Sequence, residues 1–277
     1  PRPLSGERWN PRSDRVDPRS ELSLLPPQWQ SELSQARIEP VESGMGGASL
    51  FRIARDGAAP RYLKIAQNGV APALRQEIER TRWLAQRGQR VPAILCTDDG
   101  LGHAAMLMEA VSGVPADVSP LPPLRLAEAL ARGLAALHAL PAAQCPFDES
   151  LAVRFARAAA AIAAGEVEAG AFAPRNRGIA PEALLARLIA GPPPEDVVVV
   201  HGDATLSNVI VDGVGAIGFV DCGNAGRGDG YLDLGVLAAD IEDHFGNEAA
   251  THFARAYGGQ VWDEAKARFY SDLYELF

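Results

Sequence analysis

Between residues 36 and 110, apolar positions recur mostly at the spacing of short strands. Runs at 36–41, 50–54 and 61–65 fit strands, and Asp56-Gly57 fits the hairpin turn joining the second to the third. The period then changes. Leu74, Ile78, Leu84 and Ala85 fall near one helical face, and Gly88 is a stop. Two more strands, 93–97 and 104–109, flank the turn Asp98-Asp99-Gly100. The pattern predicts an antiparallel sheet with one inserted helix. After Ser112-Gly113 it becomes helical over 124–140, 151–164, 180–189, 231–245, 248–257 and 262–276, with Pro181 at a first-turn position. An apolar run at 197–200 and a hairpin of 209–211 with 216–220, joined through Asp212-Gly213, interrupt those helices. Pro1, Pro3, Pro11, Pro18, Pro26 and Pro27 break any helix near the start, so structure is expected from about Trp29. The expected organisation is a loose arm over 1–30, a β-rich lobe over 31–110 and a larger, mainly helical lobe over 111–277, an α+β chain without internal repeats.

Composition narrows the possibilities. Hydrophobic residues at 47% and charged residues at 22% fit a globular chain. A net charge of −9 argues against a nucleic-acid partner and suits a cationic one. No apolar run approaches the ~18 residues of a membrane span, and residues 1–19 carry no signal-peptide pattern. Cys96, Cys145 and Cys222 form no CxxC pair, which points to a reducing cytoplasm. Of the 26 basic residues, only Lys64 and Lys266 are lysines. Against that bias, a lysine inside an apolar strand suggests a position arginine cannot fill. Lys266 reads as a solvated helix residue.

The stretch from Val197 to Tyr231 carries the chemistry. A buried-strand run ends on His201-Gly202-Asp203, Asn208 follows, and the hairpin closes on Asp221-Cys222-Gly223. The hairpin sets its outer ends side by side, so Asn208 and Asp221 can face one divalent cation, with Asp203 on the preceding loop. Protein kinases use H-R-D-x-x-x-x-N and D-F-G in this way, and here the pattern is H-G-D-A-T-L-S-N and D-C-G. His201 is read as a hydrogen-bonding brace for the loop. Lys64 follows Ser43-Gly44-Met45-Gly46-Gly47 by one hairpin, where a glycine-rich turn can cover phosphates with backbone N–H groups. Glu77 and Glu79 are both candidate partners for Lys64, and spacing does not choose between them. From Asp229 to Glu248 the acids are Asp229, Asp233, Asp240, Glu242, Asp243 and Glu248, with no Lys or Arg. In a cleft they would attract a polyamine, although Asp229 and Asp233 also read as loop anchors.

These motifs resemble the aminoglycoside phosphotransferases, in particular the group acting on a 3′ or 3″ hydroxyl. The likeness runs from about residue 36 to the end. Besides the core motifs it includes Gly228-Asp229-Gly230-Tyr231-Leu232-Asp233-Leu234, Gln144-Cys145-Pro146-Phe147, and Phe269-Tyr270 to Glu275-Leu276-Phe277. The resemblance implies a two-lobed protein-kinase-like fold with ATP, or GTP in its place, and Mg²⁺ in the cleft. It implies Asp203 as the catalytic residue and Asn208 and Asp221 as metal ligands. For the nucleotide it implies Lys64, positioned by Glu77, with Ser43, Gly44 and Gly46 over the phosphates and the segment from Glu109 to Val111 on the adenine. Asp243, Glu275 and the carboxylate of Phe277 would bind the ammonium groups of an aminoglycoside, making the chain an antibiotic-resistance enzyme, a monomer or weak dimer without nucleic-acid or membrane partners. Three positions depart from the family pattern: Asn224 and Gly230 where basic residues are usual, and Tyr274 where an acid is usual. They keep open a kinase of another small amine-bearing sugar or alcohol. A nucleotide-binding pseudokinase is the remaining alternative.

Overall fold

The structure, a computed structural model, describes residues 21–41, 47–258 and 262–277. Two compact units form. Among the described residues, one contains those up to Leu74 together with Ile94–Ala110, and the other contains Arg75–Ala93 together with those from Val111 onward.

The first unit is built on a five-stranded antiparallel sheet. Its strands are β1 (Arg37–Val41), β2 (Ser49–Ala54), β3 (Arg61–Gln67), β4 (Ile94–Gly100) and β5 (His103–Glu109), in the order β1-β2-β3-β5-β4. Lys64 therefore stands on the central strand, opposite Leu50 of β2 and Met106 of β5. Strand alternation turns Leu63 and Ile65 to the other face, where Phe51, Ile53, Ala105 and Leu107 complete a core. That core also takes Leu25, Trp29 and Leu33, from helix α1 (Pro27–Leu33) and the turn before it. Residues 21–30 thus belong to a packed segment rather than a loose arm. Pro26-Pro27 does not break the helix but begins it, because Pro27 sits in the first turn, where its missing N–H costs nothing.

Helix α2 (Ala71–Gln86) starts in the first unit and ends in the second. Residues 75–93 were expected in the β-rich lobe. Trp83 and Leu84 instead join the main core of the second unit, with Val91 packed against it.

The second unit adds α3 (Pro123–His138), α4 (Leu151–Ala164), α5 (Pro181–Ala190), α6 (Tyr231–Phe245), α7 (Asn247–Ala256) and α8 (Glu264–Tyr274). It contains two small sheets. Strand β6 (Val114–Pro115) pairs with β8 (Val209–Val211), which pairs with β9 (Ile217–Phe219). Strand β7 (Val197–Val200) pairs antiparallel with β10 (Gly226–Asp229). Strand β10 carries no apolar run, and its glycines have a steric reason. A Cβ on Gly226 would lie 2.7 Å from Glu149 Cγ, and one on Gly228 would lie 2.8 Å from the Glu149 carbonyl oxygen. Among the described residues, no helix is long and apolar enough to cross a membrane.

Lys266 differs most from its expected surroundings. It is buried on α8, with Nζ 2.6 Å from Asp229 Oδ2 and 3.0 Å from Asp196 Oδ2. Asp229 is fully buried, so the lysine neutralises a charge that water cannot reach. Lys266→Met should cost roughly 3–5 kcal/mol, because it strands that carboxylate. Urea unfolding checks this, and a midpoint equal to that of the parent would contradict it.

Candidate active site

The site is built where β7 gives way to His201-Gly202-Asp203. The turn requires glycine. Gly202 has φ +78°, and a Cβ there would meet the Asn224 carbonyl oxygen at 2.3 Å. Asp233, fully buried on α6, holds the turn from below. It accepts the N–H groups of His201 (2.7 Å) and Gly202 (2.7 Å), and His138 Nε2 at 3.0 Å. Tyr257 Oη lies 2.6 Å from His138 Nδ1. Burial alone would raise the Asp233 carboxyl, but the hydrogen bonds it accepts from His138 and from the His201 N–H outweigh it and hold the group below the usual carboxylate range. Burial, with nearby negative charge, pushes the Tyr257 phenol up to about 12, so it is the proton donor to His138.

His201 is fully buried. Its Nε2–H donates to the Val220 carbonyl (2.9 Å), and Nδ1 accepts the Asp203 N–H (3.3 Å). Both ring nitrogens are occupied in holding the loop, the bracing role expected of it. The Leu206 N–H is taken by Asp240 (2.7 Å) and the Gly202 carbonyl by Arg154 Nη2 (2.7 Å).

Asp203 stands at the centre. Its Oδ2 accepts one bond from Asn208 Nδ2 (3.0 Å), and its backbone carbonyl accepts another (3.0 Å). Its Oδ1 accepts the hydroxyl of Tyr274 (2.8 Å). Burial raises the Asp203 carboxyl above the usual range, and the neighbouring charge of Asp221 adds to the rise. The Tyr274 hydrogen bond and Arg154 oppose it.

The β8–β9 hairpin brings Asn208 and Asp221 to one end. The Val220 N–H donates to the Asn208 carbonyl (2.9 Å), which extends the ladder one step beyond the strands. Asp221 follows in a left-handed conformation, φ 57° and ψ 52°, uncommon for a residue with a Cβ and a mark of a constrained functional turn. Because Asn208 commits its amide nitrogen to Asp203, its carbonyl oxygen is directed elsewhere. An amide oxygen and an exposed carboxylate at one hairpin end are hard donors that fit Mg²⁺.

Residues 37–270 match the family model described as the phosphotransferase enzyme family. The chain belongs to that family. This phosphotransferase is 33% identical to the streptomycin 3″-kinase of Streptomyces griseus over 84% of its own length and 89% of the relative's. Among solved structures, an aminoglycoside-3′-phosphotransferase of type VIII superposes with a TM-score of 0.81 at 35% identity, covering 90% of this chain and 97% of that one. The aminoglycoside phosphotransferase APH(3″)-Id from Streptomyces rimosus, in complex with ADP and streptomycin, gives 0.77 at 32% identity over 90% and 95% of the two chains. The expected kinase-like α+β fold is therefore the fold of this enzyme.

The phosphotransferase places its remaining candidate residues as follows. Glu77 is buried and Glu79 exposed, and a Cβ on Gly223 would sit 3.7 Å from that of Glu77. Glu77 thus packs against the Asp221-Cys222-Gly223 turn. Lys64 lies at the centre of the first unit's sheet. Glu109 ends β5 there, paired with Arg61. Val111 belongs to the second unit and closes over Gly218. Ser43, Gly44 and Gly46 lie outside the described residues.

The three candidate substrate ligands have different surroundings. Asp243 is exposed on α6. Glu275 is half-buried, and its carboxylate accepts from Asn176 Nδ2 (3.2 Å), the Ala173 N–H (3.2 Å) and Arg175 (3.4 Å). Burial raises its pKa, opposed by those bonds. The ring of Phe277 has the Arg154 guanidinium 5.6 Å from its centroid. The acidic tract divides. Asp229 and Asp233 are fully buried anchors, Asp240 holds the loop, and Glu242, Asp243 and Glu248 face solvent.

One cluster has no local sequence signal. Fully buried Glu149 is met by Arg80 (2.6 Å), Arg154 (3.0 Å) and Arg157 (2.7 Å). Arg157 Nη1 also donates to Asn224 Oδ1 (3.2 Å). A guanidinium from α4 thus reaches Asn224, on the turn that follows Asp221.

Proposed function

We propose that this phosphotransferase moves the γ-phosphoryl group of ATP, or of GTP, to a 3′ or 3″ hydroxyl of an aminoglycoside and so confers resistance to it. The observation that carries this reading is the Asp203 carboxylate, held by Asn208 and Tyr274 at the end of a hairpin that also presents Asp221. The likeness to relatives that act on streptomycin and other aminoglycosides supports the choice of acceptor.

Asp203 orients the acceptor hydroxyl and takes its proton as the oxygen attacks. A bond forms from that oxygen to the γ-phosphorus, the bridging β–γ bond breaks, and the nucleoside diphosphate leaves. Asn208 and Asp221 would hold Mg²⁺, which offsets phosphate charge when bound. Lys64 pairs with the phosphates and Glu77 orients it, while backbone groups from Glu109 to Val111 hold the base. The exposed acids of α6 and the segment after it, Asp243 among them, attract ammonium groups, and Glu275 and Phe277 lie near the end of the same chain segment as Tyr274. Catalysis is then mostly positioning and electrostatics.

Streptomycin and kanamycin should be offered in parallel with ATP, and the product position read by NMR. Phosphate on a 3′ or 3″ oxygen of at least one is expected. Transfer only to a small amine-bearing sugar or alcohol would favour the alternative acceptor class. Stabilisation by Mg-ATP without transfer to any acceptor would favour a pseudokinase.

A further inference from the structure

Tyr274, the last residue of α8, meets the proposed base directly. Its hydroxyl donates to Asp203 Oδ1 at 2.8 Å, while Asn208 Nδ2 donates to Oδ2 at 3.0 Å. Each carboxylate oxygen therefore has one donor, and the plane of the group is fixed. The phenol is itself well anchored. Helix α8 holds it in place: Tyr270, Leu273 and Leu276, on α8 and just after it, are buried in one core cluster, and Asp272 ties α8 to Arg175 (2.6 Å) and Asn176 (2.8 Å). Burial, and then the charge of Asp203, push the Tyr274 phenol far up, so it remains a protonated donor at any working pH. An acid at this position would repel Asp203, whereas a tyrosine donates to it.

We propose that Tyr274 is a positioning residue for phosphoryl transfer, whose hydroxyl locks the Asp203 carboxylate and leaves one lone-pair direction of Oδ1 for the acceptor hydroxyl. This rests on the reading of Asp203 as the base. A carboxylate oxygen offers two in-plane lone pairs. With the phenol on one, the attacking hydroxyl meets the other, and its approach to the phosphorus is restricted to one side. Tyr274 acts through Asp203, so its loss is expected in turnover rather than in affinity.

The test uses the full-length enzyme with Mg-ATP and the aminoglycoside it phosphorylates. Tyr274→Phe keeps the ring and deletes the donor. Turnover should fall about tenfold, as when a charge-assisted hydrogen bond is lost. KM for both substrates should stay within about twofold, and the thermal midpoint should fall by no more than about 4 °C, the cost of one hydrogen bond. A merely structural role would move the midpoint and KM instead. If Tyr274→Phe is not recovered folded, Tyr274→Met fills the space without a donor and is measured in the same way. Wild-type kcat in the folded donor-less variant, with Asp203→Ala inactive, overturns the proposal alone. Full turnover in Asp203→Ala overturns the reading beneath it.

Discussion

Asp203→Ala should lose turnover by roughly 10²–10⁴-fold, the usual contribution of a positioned general base. Nucleotide binding should be nearly unchanged, because Asp203 is the group proposed to meet the acceptor rather than the nucleotide. Asp203→Asn separates two parts of its role. The amide keeps the shape and one oxygen for Tyr274 or Asn208, but it cannot accept the acceptor's proton. Its turnover should therefore be close to that of Asp203→Ala, with less disturbance of the loop. Single-turnover kinetics with saturating Mg-ATP, beside a Mg-ATP thermal shift, make the comparison. Undiminished turnover in either variant would remove Asp203 from the mechanism.

Asp233→Ala should be the most damaging change among the supporting residues. It strands the N–H groups of His201 and Gly202 and the Nε2 of His138 in a fully buried place. Each orphaned donor costs about 1–3 kcal/mol, so the variant should lose several kcal/mol and roughly 10 °C in thermal midpoint. Turnover should fall as well, since Asp203 follows the two released residues. The dependence on pH has a defined sign. The folded-state pKa of Asp233 is below its ordinary value, so its charge contributes stability above about pH 4 and loses that contribution as pH falls through the folded value. The advantage of the parent over Asp233→Asn should therefore narrow below about pH 4. A constant difference from pH 7 down to pH 3 would contradict the assignment.

How much of the site could be read from the sequence depends on chain separation. Asp203, Asn208 and Asp221 lie within one strand, loop and hairpin, so turn chemistry and strand period were enough to bring them together. An anchoring role was also legible for Asp233, as one of the two readings open to it within the acidic tract. The contact between Tyr274 and Asp203 spans 71 positions, and the ion pair of Arg80 with Glu149 spans 69. No local period encodes either one. Lys266 looked solvated because helix position alone does not reveal that two acids, Asp229 and Asp196, converge on it. Strand β10 was hidden because its glycines were selected by crowding around Glu149 rather than by strand propensity. Pro26-Pro27 misled for the opposite reason, since a proline that ends one pattern can start the next. Spacing left Glu77 and Glu79 equivalent because it does not fix the helix rotation, which buries the first and exposes the second.

The central claim is that Asp203 and its hairpin neighbours direct phosphoryl transfer to an aminoglycoside. The most direct measurement is mass spectrometry of streptomycin and kanamycin after incubation with Mg-ATP and the parent enzyme or Asp203→Ala. The account predicts a single added phosphoryl group on at least one antibiotic with the parent and almost none with the variant. An unmodified pair of antibiotics with the parent, or equal modification by both proteins, would contradict it.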